Sequence, residues 1–339
     1  MQYNLLGNTG LKVSELCLGT MTFGGKGRFA AIGNLGQSPV DELMKRAVEA
    51  GINFIDTANV YSEGLSEELT GQSIHNLGLK RDDLVLATKV RGSMGNGPND
   101  SGLTRKHILQ QAEASLKRLK TDYIDLYQIH SYDPLTPFEE TIGALDDLVR
   151  SGKVRYIGAS NMAAWQLMKA LDYSHYNKLS RFVSLQAYYT IAGRDLEREL
   201  IPLLQNEKVG LMVWSPLAGG LLSGKYSRDD DKKDNGRRSN FDFPPVNRER
   251  AFNIIDVLKP MAEEKKSSVA QLAIAWLLKQ PAVTTVIIGA NKMEQLNDNL
   301  KSTDVQFTET ELSAIAAASN LPAEYPQWML EFTGGDRKI

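Results

Sequence analysis

The sequence predicts an α/β protein built as one closed parallel barrel, (β/α)8, and three observations carry that prediction. Short β-branched runs recur along the chain, each followed by a longer segment with helical spacing. The cycle never switches to a second pattern, and its tally reaches eight, the number that closes such a barrel. At 339 residues the chain would suggest roughly two domains of ~150 residues each, but α/β barrels run past that length as one. A single domain over residues 1–339 is therefore expected.

Taken in order, Tyr3–Leu6 and Leu11–Val13 around Gly7-Asn-Thr-Gly10 read as a hairpin that covers one barrel end. Glu15–Leu18 with a helix over Pro39–Ala50 forms the first unit. Ile52–Ile55 precedes Ser66–His75, and Leu84–Thr88 leads through a Gly-rich loop to Thr104–Ala112. Tyr123–Ile129 precedes Pro137–Leu145, Val154–Ile157 precedes Met162–Leu171, and Arg181–Leu185 precedes Leu196–Leu204. Val209–Trp214 comes before a long polar loop, and Thr285–Ile288 precedes Met293–Leu300. The stretch Ser227–Pro245, with Asp229 to Arg238 inside it, is too polar for a core and reads as a solvated loop. An extra helix, about Arg248–Lys265, follows. Leu321–Ile339 contains Trp328, Met329 and Phe332 without a clear period, and is expected to dock on the barrel.

Composition narrows the function. Apolar residues make up 42% and charged residues 24%, as in an ordinary soluble globular protein. Lys plus Arg (39) against Asp plus Glu (41) leaves −2, which suggests neither nucleic acid nor an anionic membrane as partner. The single cysteine, Cys17, fits a reducing compartment, and the N-terminal residues lack the build of a signal peptide. Val269–Leu278, interrupted by Gln271, falls far short of the ~20 residues of a membrane span. A cytoplasmic protein with a small-molecule partner, monomeric or weakly homo-oligomeric, is expected. His75, His107, His130 and His175 are scattered without metal-ligand spacing, so no metal is expected.

Chemistry in a parallel α/β barrel sits at the C-terminal ends of its strands. Asp56, Lys89 and His130 each close an apolar strand run there, with Ser160, Asn161, Gln186, Trp214 and Ser215 closing others. Each alone has a plainer reading: a solvated lysine, a framework histidine, a capping aspartate. Their coincidence on one rim argues for a site. A partly desolvated Lys89 stays charged only with a carboxylate beside it, and Asp56 on the adjacent strand is the obvious partner. Tyr61 lies on the same loop, five residues beyond Asp56. A free phenol, near pKa 10, is a poor acid at neutral pH, but a neighbouring cation lowers that by roughly 1–3 pH units. With His130 sharing a hydrogen bond with the phenol and a substrate oxygen, the set describes proton donation to a carbonyl.

These residues match a family. Gly51 to Tyr61 (Gly-Ile-Asn-Phe-Ile-Asp-Thr-Ala-Asn-Val-Tyr), Lys89, His130, Lys153 to Asn161, and Trp214-Ser-Pro-Leu217, in that order, resemble the aldo-keto reductases. The resemblance runs from Leu16-Cys-Leu-Gly-Thr20 to Ile287-Ile-Gly-Ala290. It implies a (β/α)8 TIM barrel, a nicotinamide cofactor, and Asp56, Tyr61, Lys89 and His130 as a catalytic tetrad that reduces an aldehyde or ketone. Tyr61 would give the proton, Lys89 would acidify it, Asp56 would hold Lys89, and His130 would orient the carbonyl. Ser160, Asn161 and Gln186 would hold the carboxamide, and Trp214 would stack on the ring where many relatives have Tyr.

Further cofactor contacts are expected from Gly19, Thr20, Met21, Asp56, Ser215, Pro216 and Leu217 on the rim. Leu217 to Lys225 nearly spells a phosphate-binding loop, but Tyr226 stands where magnesium would need Ser or Thr, so no nucleotide triphosphatase is read. Gly219, Leu221 and Lys225 are instead assigned to a pyrophosphate, approached by backbone amides. No Gly-x-Gly-x-x-Gly follows a strand, so a Rossmann fold is unsupported. Ile288, Gly289, Asn291, Lys292, Gln295 and Asn299, at the last strand and the following helix, would take the adenosine and its 2′-phosphate. Lys292 favours NADP(H), with NAD(H) the alternative because relatives often have Arg where Gln295 stands. Phe23 and Trp328, with Tyr61 and His130, are the substrate-contact candidates. Arg28, Arg91 and Arg105 leave room for an anionic group. A Schiff-base lyase using Lys89 is a rival enzyme, and a cofactor-sensing subunit resembling potassium-channel β subunits is the non-enzymatic alternative.

Overall fold

The computed structural model describes residues 1–226, 228, 238 and 241–335. Eight parallel strands close a barrel in chain order. They are β3 (Leu16–Gly19), β4 (Phe54–Asp56), β5 (Val85–Val90), β6 (Ile124–Ile129), β7 (Val154–Ser160), β8 (Phe182–Tyr188), β9 (Gly210–Trp214) and β10 (Val283–Ile288). Pairing of β10 with β3, Val286 opposite Leu16, completes the ring. The barrel helices are α1 (Gln37–Glu49), α2 (Leu65–Asn76), α3 (Arg105–Leu119), α4 (Phe138–Arg150), α5 (Ala164–Asn177) and α6 (Leu200–Glu207), each following one strand in turn from β3 to β8. Between β9 and β10 lie α7 (Arg248–Glu264), the extra helix expected from the sequence, and α8 (Val269–Leu278). After β10 come α9 (Met293–Leu300), α10 (Glu309–Ser319) and α11 (Gln327–Gly334).

Strands covered by helices outside and by side chains inside read as continuous apolar runs, and β5 is buried at every position. The interior is filled by Cys17, Phe54, Val85, Ala87, Leu126, Met212 and Ile287. The helices pack on the outer face through residues such as Ile108, Ile142 and Leu145. The hairpin, β1 (Tyr3–Leu5) with β2 (Lys12–Ser14), plugs the end where the strands begin. Leu6 and Val13 are fully buried in the interior cluster. Gly7 makes this close approach possible: its φ is +58°, and a Cβ there would lie 2.2 Å from the Val183 carbonyl oxygen. The plug leaves the opposite, C-terminal end of the barrel for a site.

Two further helices form where the sequence carries no stated expectation, and one segment differs from expectation. The apolar stretch Val269–Leu278 is α8, capped by Ser268, whose Oγ accepts from the Gln271 amide at 3.0 Å. A capping box at Thr308 and Glu311 starts α10, which packs on α7 and is pinned by Lys265 to Glu311 at 2.8 Å. The described part of the C-terminal segment, residues 321–335, does not dock: Tyr325 is exposed ahead of α11, and Trp328, Met329, Leu330 and Phe332 are exposed on it. Its approach is tied through Arg194 to Ser319 and Asn320, and its first residues through the Arg198–Glu324 ion pair. Among the described residues no helix is long and apolar enough to cross a membrane.

Candidate active site

Register brings the strand ends together. β4, β5 and β6 are neighbours, with Asp56 opposite Ala87 and Lys89 opposite Gln128. The Lys89 side chain is fully buried, and its ammonium uses all three protons: it donates to Asp56 Oδ2 at 2.5 Å, to the Thr57 carbonyl at 2.8 Å and to Tyr61 Oη at 3.3 Å. Burial alone would lower its pKa; the Asp56 charge and then Tyr61 outweigh burial and hold it above the ordinary value. The other Asp56 oxygen, Oδ1, accepts from Gln186 Nε2 at 2.9 Å and Gln128 Nε2 at 3.0 Å. Every partner of this ion pair is thus fixed, as a buried pair requires.

Tyr61 opens a short 3-10 turn, Tyr61–Gly64, whose Ser62 and Glu63 adopt left-handed backbone (φ 48° and 59°). Ser62 Oγ secures the turn by donating to the Phe23 carbonyl and accepting from the Gly25 amide. The Tyr61 ring lies edge-on to Phe29 (5.4 Å) and to His130 (5.7 Å). Desolvation, then the charges of Lys89, Arg28 and Arg91, push the His130 pKa down to about 3, so its imidazole is neutral near pH 7.

Beside Asp56, Tyr61, Lys89 and His130, Asn161 is a hub in left-handed backbone (φ 51°). Its amide donates to the His130 carbonyl (2.9 Å) and Ser160 Oγ (3.0 Å), while its Oδ1 accepts from Trp214 Nε1 (3.1 Å). Phe243 stacks almost parallel on Trp214, 5.8 Å between centroids and 8° apart, so the indole presents a face to a flat partner.

A cavity of about 790 Å³ opens over these residues. Of the residues singled out in the sequence, Asp56, Tyr61, His130, Asn161, Gln186 and Trp214 line it at one end, with Gly19, Thr20 and Met21. Ser215, Pro216, Leu217, Gly219 and Lys225 continue the lining, and Ile288, Gly289, Asn291, Gln295 and Asn299 complete it. Lys89 lies beneath, reaching the cavity through Tyr61.

Five candidates stand elsewhere. Phe23 is core, because its backbone, not its ring, serves the Tyr61 turn. Leu221 is buried in the core by the 3-10 turn Ala218–Ser223. Ser160 is buried behind Asn161, donating to the Gln186 carbonyl. Lys292 caps α9 from the exposed surface, and Trp328 rides on the projecting α11; neither lines the cavity. The expected amide cradle is also largely engaged, since the amides of Ala218, Gly219, Gly220 and Leu222 bond to Ser215 and Leu217 within the turn.

Sequence reasoning missed Gln128 and Arg238. Gln128 sits two positions before His130 and so faces the same way, a buried amide in an apolar strand. Most of the loop expected to be solvated lies outside the described residues. Within it, Arg238 is buried and donates to the Ala218 (2.7 Å) and Pro244 (3.2 Å) carbonyls, strapping the loop onto the cavity turn. No cluster among the described residues could hold a metal ion.

Comparison with known proteins agrees with this geometry. The Aldo/keto reductase family profile matches residues 15–320. "Uncharacterized oxidoreductase YrpG" of Bacillus subtilis is 38% identical over 315 residues, 91% of this chain and 92% of its own. A "Probable voltage-gated potassium channel subunit beta" of Arabidopsis thaliana is 38% identical over 310 residues, 90% and 92% of the two chains. "Versiconal hemiacetal acetate reductase" of Aspergillus parasiticus is 36% identical over 330 residues, 92% and 95%. With a closed eight-stranded barrel and a family match over most of its length, the chain belongs to the aldo/keto reductase family.

Proposed function

We propose that the protein is a nicotinamide-dependent reductase of aldehyde or ketone carbonyls, with Asp56, Tyr61, Lys89 and His130 as its catalytic residues. The observation that carries this reading is the ammonium of Lys89, which gives one proton each to Asp56, Thr57 and Tyr61. Lys89 donates to the Tyr61 oxygen, so that of the two it is Tyr61 that acts as the acid toward a substrate oxygen in the cavity. The ammonium then stabilises the phenolate left behind, and Asp56, gripped by two glutamines, keeps the ammonium in place. His130, neutral at working pH, can donate a hydrogen bond to the same carbonyl oxygen and polarise it without competing for Tyr61's proton.

The residues fit a dinucleotide. The cavity is long enough to run from Tyr61 past Trp214 to Asn299, and its volume lies in the range of cofactor pockets. The face of Trp214 that takes Phe243 would take a flat heteroaromatic ring. Asn161 Oδ1 and Gln186 Oε1 keep acceptor capacity for a carboxamide, and Lys225 offers charge to the phosphates. When bound, the reduced nicotinamide supplies hydride to the carbonyl carbon. Lys292 lies outside the cavity lining, next to Asn291, so it would favour the 2′-phosphorylated form only by reaching a phosphate that projects from the cavity at the N-terminus of α9.

Following the absorbance of NADPH and NADH in parallel against a panel of aldehydes and ketones tests this reading. Turnover, faster with NADPH, is expected. The potassium-channel relative supports a second reading, a cofactor-bound sensor; tight dinucleotide binding with no turnover of any carbonyl would favour it.

A further inference from the structure

We propose that Arg28 recognises a carboxylate on the substrate, so that the preferred carbonyl compounds are oxo-acids with an apolar body; this rests on the reductase reading for the word substrate. Arg28 lies on the 3-10 turn Gly27–Ala31 and lines the cavity together with Phe29, Tyr61 and His130. Its guanidinium carbon stands 5.1 Å from the Phe29 ring centroid, and that ring meets Tyr61 at 5.4 Å. One aromatic side chain therefore separates the cation from the phenol.

Among the described residues no carboxylate lies within ion-pair distance of Arg28. Asp56, the one acid lining this end, is already held by Lys89, while Lys225 and Asp298 line the part beyond Trp214. Glu63, on the separate turn Tyr61–Gly64, brings its carboxylate against Gly27, next to Arg28 in the chain, without an ion pair to the guanidinium. Arg91, outside the cavity lining, adds a second cation near His130; its Nε donates to the Tyr132 carbonyl at 3.1 Å, and its charge is shared with nearby Asp133. The positive potential of both arginines reaches the reacting centre, since both help to keep His130 neutral.

The walls between are apolar, formed by Phe29, Ile32 and Phe241. A neutral aldehyde would be served by those walls alone. A slot of rings with a guanidinium at its rim matches a ligand that has a flat apolar middle and an anionic end, which Arg binds through two parallel N–H donors. Arg28 thus sets which carbonyl compound is turned toward Tyr61, and takes no proton itself.

The test has a binding arm and a turnover arm, run on the parent protein and on Arg28→Gln and Arg28→Lys. Calorimetry compares para-carbamoylbenzoate with terephthalamide, its neutral analogue, on protein saturated with NADP⁺; the parent should bind the anion about 10- to 100-fold tighter. Turnover compares para-carboxybenzaldehyde with para-tolualdehyde, and the ratio of their kcat/KM values should fall toward one in Arg28→Gln and recover in part in Arg28→Lys. Equal binding of anion and amide by the parent overturns the proposal. So does Arg28→Gln slowing both aldehydes alike while weakening NADPH binding, which would put Arg28 on a cofactor phosphate. An anion preference in binding without turnover of either aldehyde would sink the reductase reading and leave the carboxylate site standing.

Discussion

Removing both halves of the Lys89–Asp56 pair should cost clearly less stability than the two single removals added together. In Lys89→Met the Asp56 carboxylate, whose side chain is 3% exposed, keeps only the Gln128 and Gln186 donors. In Asp56→Asn the ammonium keeps only the Thr57 carbonyl and the Tyr61 oxygen. Each single change leaves a charge out of water without its counter-charge, a loss of about 3–5 kcal/mol against a total of about 5–15 kcal/mol. The double variant buries no charge, so its loss should fall short of the sum by about 2 kcal/mol or more. Urea unfolding of the cofactor-free protein, followed by fluorescence, measures all four corners of the cycle. Single losses that simply add, within about 0.5 kcal/mol, would mean the two groups do not sense each other and would refute the arrangement described here.

Three further outcomes follow. His130, held neutral with its pKa near 3, returns to about 6.5 on unfolding, so the unfolded chain binds the extra proton and stability falls as pH drops from about 6.5 toward 3; His130→Asn should flatten that part of the acid limb, and an unchanged limb contradicts it. Trp214→Leu should raise the dissociation constant for NADPH about tenfold by removing the flat face, read by fluorescence titration, whereas parental affinity would remove Trp214 from the cofactor site. Truncation after Asn320 removes an exposed helix and one ion pair whose Glu324 side chain is 64% exposed, so the unfolding midpoint should move by no more than the ~0–1 kcal/mol of such a pair; a larger fall would show that α11 is packed.

The barrel is legible because its strands are buried on both faces and read as apolar runs at a steady spacing; the juxtaposition of Asp56, Lys89 and His130 is legible because they close such runs on one rim, with Tyr61 on the loop that follows Asp56. Gln128 is harder to read from the sequence because it lies inside the strand run rather than closing it, although period-two alternation places it on the same face as His130. The cavity turn misled in a different way: small residues suggested open amides, but the turn closes on itself through Ser215 and Leu217. Phe23 and Leu221 were assigned from neighbourhood in the chain, which says nothing about whether a side chain points into a cavity or into the core. The C-terminal aromatics looked like a docked tail because apolar side chains usually find cover; here the segment leading to them, at Ser319, Asn320 and Glu324, is held.

Tyr61→Phe is the most direct test of the tetrad. The change deletes one oxygen, keeps the ring against Phe29 and His130, and leaves Lys89 its bonds to Asp56 and Thr57. With NADPH affinity at the parental level, kcat for an aldehyde the parent reduces should fall by about 10²–10⁴-fold. A variant that still turns over within a few-fold of the parent would mean that the phenol is not the proton donor.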